Sequence, residues 1–108
     1  MKKASESLND LGRFSEPALL ILISLADSPK HGYAMTQDIE AVSGQRLGPG
    51  TLYGAIARLE ARKWIEPLPA DDRRRPYRLT GAGQKVLRAR LDSLRAVAKI
   101  GHARLVEN

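Results

Sequence analysis

The side chains best suited to chemistry are cationic, and they cluster. Arg73, Arg74 and Arg75 stand in a row directly after Asp71 and Asp72. Guanidinium groups are planar, permanently charged and able to fork two hydrogen bonds onto a phosphate. A second group recurs at intervals suited to one side of a helix: Thr51, Tyr53, Gly54, Arg58, Arg62 and Lys63. The hydroxyls of Thr51 and Tyr53 can donate to a phosphate, and Arg58 can reach a phosphate or a guanine edge. Gly50 and Gly54 leave room for close backbone approach. Other chemistry is sparse. There is no cysteine, and His31 and His102 are the only histidines, so neither thiolate catalysis nor a metal centre is expected. No Ser/His/Asp set has a useful spacing, and no glycine-rich phosphate loop follows a strand. The residues predict no catalytic site, no metal and no cofactor. They point instead to a polyanion.

These side chains need positioning elements, and the chain supplies them in a definite order. Ser15-Glu16-Pro17 predicts a helix start, with Ser15 as cap. Ala18 to Ala26 is apolar except for Ser24, which suits the centre of a core, and Asp27-Ser28-Pro29 stops it. A second helix is expected from His31 to Ser43, with Met35, Ile39 and Val42 inward and Gly44 as its C-terminal cap. Gly32 would allow tight packing at its start, and Tyr33 would join the core. Pro49 opens a third helix with Leu52, Ala55, Ile56 and Leu59 on its inner face. Trp64-Ile65-Glu66 and Tyr77-Arg78-Leu79 read as two short strands around a basic tip, with Trp64 in the core at the base. Helix, helix, helix, strand, basic tip, strand is the order of a winged helix-turn-helix. The fold class is mainly α with a small β-hairpin.

Thr80 can cap a last helix reaching Leu105 or Val106, with a first turn weakened by Gly81 and Gly83. Leu87, Leu91, Leu94, Ala98, Gly101 and Leu105 recur at alternating steps of four and three, an a/d seam. Val86, Val97 and Ile100 widen it. About 25 residues give a rod of roughly 37 Å, longer than so small a body. The seam therefore predicts a dimerisation helix; the alternative is a helix packed wholly on its own domain. The expected division is 1–14, a short docked helix or a loose arm; 15–79, the winged helix-turn-helix; and 80–108, the dimerisation helix.

Net charge follows the same division. The 108 residues carry +6, with residues 16–45 at −3 and residues 46–79 and 80–108 at +4 each. One-sided basic charge is the footprint of nucleic-acid binding. Each basic residue also has a plain alternative: Arg58 and Arg62 as a solvated helix flank, the wing arginines neutralised by Asp71 and Asp72, Tyr53 packed under the wing. Charges on the last helix suit a solvated face. No apolar run spans a bilayer and the N-terminus lacks a signal-peptide stretch, so no membrane association and a cytoplasmic location are expected.

The sequence resembles the PadR family of bacterial transcriptional regulators, in its short subgroup. The resemblance lies in Ile21 to Leu25 leading into Pro29-Lys30-His31-Gly32-Tyr33, in Leu47-Gly48-Pro49-Gly50-Thr51-Leu52-Tyr53 continuing to Glu60, in Trp64-Ile65-Glu66, and in Tyr77-Arg78-Leu79-Thr80-Gly81-Ala82-Gly83. It implies a homodimer joined through the last helix and a repressor that binds a pseudopalindromic double-stranded DNA operator. Tyr53 matches the family tyrosine. Gly54 stands where the family mostly has Pro, Lys63 where it often has Gly, and Pro76 where it often has Lys or Arg. Some short members hold flat aromatic drugs with a Trp on the last helix; here that helix has no aromatic residue. Two other readings are a protein-docking winged helix without DNA binding, and a sensor with an unidentified small-molecule effector at the dimer interface.

Overall fold

The computed structural model describes residues 6–106. The first five residues of the expected arm and the last two of the chain lie outside that range. A 3-10 helix, Leu8–Phe14, runs into α1 (Ser15–Asp27), then α2 (Gly32–Ser43) and α3 (Pro49–Ala61). An antiparallel pair, β1 (Ile65–Pro67) and β2 (Tyr77–Leu79), precedes α4 (Gly81–Val106). The fold is mainly helical with a two-stranded wing and a long C-terminal helix.

α1 organises the core. Ala18, Leu20, Ile21, Leu22, Ser24 and Leu25 are buried on it, against Met35 and Ile39 of α2 and the four expected residues of α3. The N-terminal segment joins this core through Leu8 and is tied to α4, where Arg90 Nη1 donates to Asn9 Oδ1 at 2.8 Å. Ser7 caps it with a reciprocal Asp10 contact. Ser15 is not a cap. The 3-10 helix passes straight into α1, so Phe14 takes the cap position and the Ser15 amide donates to Gly12 O.

Two inward assignments on α2 fail. Tyr33 is 62% exposed and Val42 64%. Residues 33 and 35 are separated by about 200° around a helix, so the stripe that buries Met35 turns Tyr33 away. Val42 lies on the stripe but in the last turn, where nothing covers it. α2 ends at Gly44, left-handed with φ 75°.

The wing starts one residue later than expected. The Trp64 amide closes the turn after α3 by donating to Leu59 O at 3.1 Å, so Trp64 is a fully buried base and β1 begins at Ile65. Ile65 pairs with Leu79 and Pro67 with Tyr77. Pro67 is tolerated because the Tyr77 amide and carbonyl turn away from it, to Lys30 O and Lys30 N. Lys30 is thus a one-residue third strand that locks the wing to the start of α2. The tip is a two-residue turn in which Asp72 and Arg73 have φ of 53° and 72° and Asp71 and Arg74 exchange both backbone hydrogen bonds.

Thr80 caps α4, accepting from the Gly83 amide at 3.0 Å and donating to Lys63 O at 2.7 Å. Gly83 is required rather than merely weakening: a Cβ there would collide with the Trp64 carbonyl. α4 then divides. Val86 and Leu87 are buried in the core of their own chain. From Leu91 onward every described residue is exposed.

Candidate nucleic-acid interface

α3 begins at an exposed Gly48-Pro49-Gly50-Thr51 turn, with Pro49 in the first helical turn. Burial of Leu52, Ala55, Ile56 and Leu59 fixes the roll of the helix. That roll leaves Thr51 exposed and presents Tyr53, 55% exposed, beside the start of α2. The Tyr53 ring lies so close to Gly32 that an added Cβ would come 2.5 Å from its hydroxyl. Gly32 therefore leaves room for the Tyr53 ring at the start of α2.

The wing folds back over the same corner. His31, Gly32, Tyr33, Tyr53, Arg73, Arg74, Arg75 and Tyr77 line an open cleft of about 370 Å³. Arg74 Nη1 lies 3.2 Å from His31 Nε2, and Arg75 Nη1 donates to Leu68 O at 3.1 Å. Among the described residues neither Asp71 nor Asp72 makes an ion pair with the run. Burial and the nearby Glu60 carboxylate push the Tyr77 phenol above the usual tyrosine range, so it remains a neutral donor. Chemically the cleft offers converging cationic and hydroxyl donors, together with the α2 N-terminus, whose first amides lack intrahelical acceptors. Such a surface suits a phosphate.

The other expected contacts sit elsewhere. The Arg58 guanidinium stacks 3.5 Å from the centre of the Phe14 ring, and its Nη1 lies over Gly54. Gly54 is therefore covered by a side chain rather than open to a backbone. Arg62 lies 5.3 Å over the Trp64 ring. Lys63 is exposed but left-handed, φ 64°. So Tyr53 is joined with Arg73, Arg74 and Arg75, whereas Arg58 and Arg62 lie against aromatic rings at the other end of α3, with Lys63 exposed beside them. Sequence reading missed His31 and Tyr33 as members of the cleft. The α2 stripe was the usable signal for Tyr33; nothing local signalled His31.

On α4 the candidate seam continues outward through Leu91, Leu94, Ala98, Gly101 and Leu105. Leu91 and Leu94 are each 40% exposed and Leu105 72%. Val97, Ile100 and Val106 are also exposed. Among the described residues no helix is long and apolar enough to cross a membrane, and no group of His, Asp and Glu could hold a metal ion.

The family model described as the transcriptional regulator PadR-like family matches residues 21–89, more than half of the chain. A 37.1 kDa protein of a Streptomyces fradiae transposon is 50% identical over 82 residues, covering 76% of this chain but 24% of that protein. A transcriptional regulator of Mycobacterium tuberculosis is 43% identical over 72 residues, covering 64% of this chain and 66% of the other. The chain thus spans only part of the length of both. Among solved structures, a PadR family transcription regulator from Clostridium difficile superposes with a TM-score of 0.74 at 24% identity, covering 82% of this chain and 97% of the other. That likeness bears on the fold.

Proposed function

The chain belongs to the PadR-like family of transcriptional regulators, a family of regulators rather than enzymes, and from that premise we propose how it engages DNA. The N-terminal half of α3 enters the major groove, which admits one helix. Thr51 and Tyr53 approach DNA there. The wing arginines lie along the neighbouring phosphates or reach the minor groove. The exposed part of α4 packs against its copy in a second chain, which sets two recognition helices roughly 34 Å apart, one helical turn. Such a homodimer reads a pseudopalindromic operator in the cytoplasm and represses by occluding a promoter.

The observation that carries this reading is the cleft, where α3, the start of α2 and three wing arginines converge. The exposed apolar side of α4 supports the dimer, since Leu91, Leu94, Val97 and Ile100 extend the helix beyond the core. Selection of duplexes from a random library tests the whole proposal. The expected product is a paired half-site with one-turn spacing, bound more tightly than scrambled sequence at each salt concentration. Equal affinity for selected and scrambled duplexes at every salt concentration would remove the operator reading and leave the protein-docking alternative.

A further inference from the structure

His31 stands at the cap of α2, and its Nδ1 accepts the Ala34 amide at 3.4 Å. A ring nitrogen accepts only when it carries no proton, so with Nδ1 accepting from Ala34 a neutral imidazole has its proton on Nε2. Yet Nε2 lies 3.2 Å from Arg74 Nη1, and a guanidinium nitrogen is a donor without acceptor capacity. Two donors face each other with nothing between them to receive either. The opposite tautomer only moves the conflict to the Ala34 amide. One acceptor placed beside both groups resolves it.

The surroundings specify that acceptor. Arg73 and Arg75 line the same cleft. The Tyr53 hydroxyl has no hydrogen-bond acceptor among the described residues and lies over Gly32, the first residue of α2. The α2 N-terminus adds partial positive charge. Asp71 and Asp72 line a neighbouring hollow that shares His31 and Arg74 and are not among the residues lining this cleft. An oxyanion is therefore favoured over a neutral acceptor, and an open site between recognition helix and wing admits one carried on a polymer backbone.

We propose that His31 and Arg74 form a two-donor seat for a single phosphate of the DNA backbone, with the Tyr53 hydroxyl beside it. The seat rests on the DNA-binding reading and names one of its contacts. Through His31 it also ties the phosphate to the cap of α2, so that occupying the seat holds the wing against the helix-turn-helix.

His31→Asn separates capping from phosphate binding, because Asn is itself a good helix cap but cannot place a donor at the Nε2 position. Its expected melting temperature stays within about two degrees of wild type. Its affinity for the selected duplex falls roughly tenfold or more, the scale of a lost hydrogen bond to a charged acceptor. Single methylphosphonates, placed in turn along that duplex, locate the contact: at one position neutralisation weakens the wild type and leaves His31→Asn unchanged. His31→Asn with Arg74→Ala loses less than the product of the two single losses. Long-range 1H–15N spectra of the free protein show the Nε2-protonated ring, with His102→Gln assigning the signals. Wild-type affinity in a normally folded His31→Asn, or equal responses at every methylphosphonate, overturns the seat while duplex binding stands. A wild type without affinity for any duplex overturns the seat and the DNA reading together.

Discussion

The two ends of α3 carry similar residue types and meet different fates. At the N-terminal end, Tyr53 faces an open cleft with Arg73, Arg74 and Arg75. At the C-terminal end, Arg58 is stacked on Phe14 and Arg62 on Trp64. An arginine on an aromatic face has its charge partly answered and its stem used for packing. Its stacked face is held in place, so it serves only a phosphate that comes to the edge of the guanidinium plane. Charge counted along a sequence therefore overstates the charge free to bind. α4 repeats the lesson with apolar residues: Leu87 belongs to the core, 6% exposed, while Leu91 and Leu94 on the same seam are each 40% exposed.

The division of α4 gives the largest expected effect. Leu91→Asp with Leu94→Asp places carboxylates in the proposed dimer contact. Light scattering should then report a mass near 11.9 kDa in place of about twice that, with operator binding lost because both half-sites must be held together. Leu87→Ala should behave oppositely. It leaves a cavity in the core and lowers unfolding stability by about 3 kcal/mol, read by urea denaturation, without shifting the dimer mass in native buffer. A persistent dimer in the double aspartate variant would return α4 to packing on its own domain.

Next comes the wing. Arg73→Ala with Arg74→Ala should weaken binding to selected and scrambled duplexes alike. Each phosphate contact removed takes about 0.9 from the slope of log affinity against log salt, and a homodimer carries each substitution twice, so the slope should fall by about two if one of the arginines holds a phosphate and by nearly four if both do. An unchanged slope would show that the wing stays off the backbone and would erase the contrast between the two ends of α3.

Much of this arrangement was legible because it is periodic or local. The inner face of α3, from Leu52 to Leu59, follows from spacing, and the hairpin follows from two short apolar stretches around a polar tip. The seam on α4 was legible as a pattern, but not where the body of the domain stops covering it. That point depends on how far α1 and the 3-10 helix reach along α4. The cleft was hidden for a similar reason. His31 and Arg74 are 43 residues apart, and only the Lys30–Tyr77 backbone pairing brings them together. The Phe14 ring under Arg58 depends on a 3-10 helix that sequence left open as an arm.

The stacked arginines predict a smaller effect than the wing. Arg58→Ala should change duplex affinity by no more than about threefold and leave the salt slope within half a unit. It should cost roughly 0.5–1 kcal/mol of stability through the lost ring contact. Phe14→Ala frees the guanidinium without removing it. If Arg58 then reaches a phosphate in each subunit, the slope steepens by up to about 1.8, twice the value for one contact. A large loss of affinity in Arg58→Ala with a flatter slope would show that Arg58 already serves a phosphate, and the two ends of α3 would be alike after all.

The smallest effect concerns the residue that joins α3 to the wing. Lys63 is left-handed, φ 64°, and its carbonyl accepts from the Thr80 hydroxyl, so the conformation is held from both the turn and the α4 cap. A side chain in that region costs roughly 1–2 kcal/mol, whereas glycine adopts it freely but loses about 0.5–1 kcal/mol of chain entropy on folding. Lys63→Gly should therefore stabilise the protein by about 0.5 kcal/mol, a small upward shift in the urea midpoint. The same substitution removes an exposed positive charge beside the stacked group. If Lys63 stays off the DNA, stability rises and the salt slope does not move. A slope lower by about 1.8, twice the value for one contact, would place one phosphate in each subunit at this end of α3, held by the one basic residue there that no aromatic ring holds.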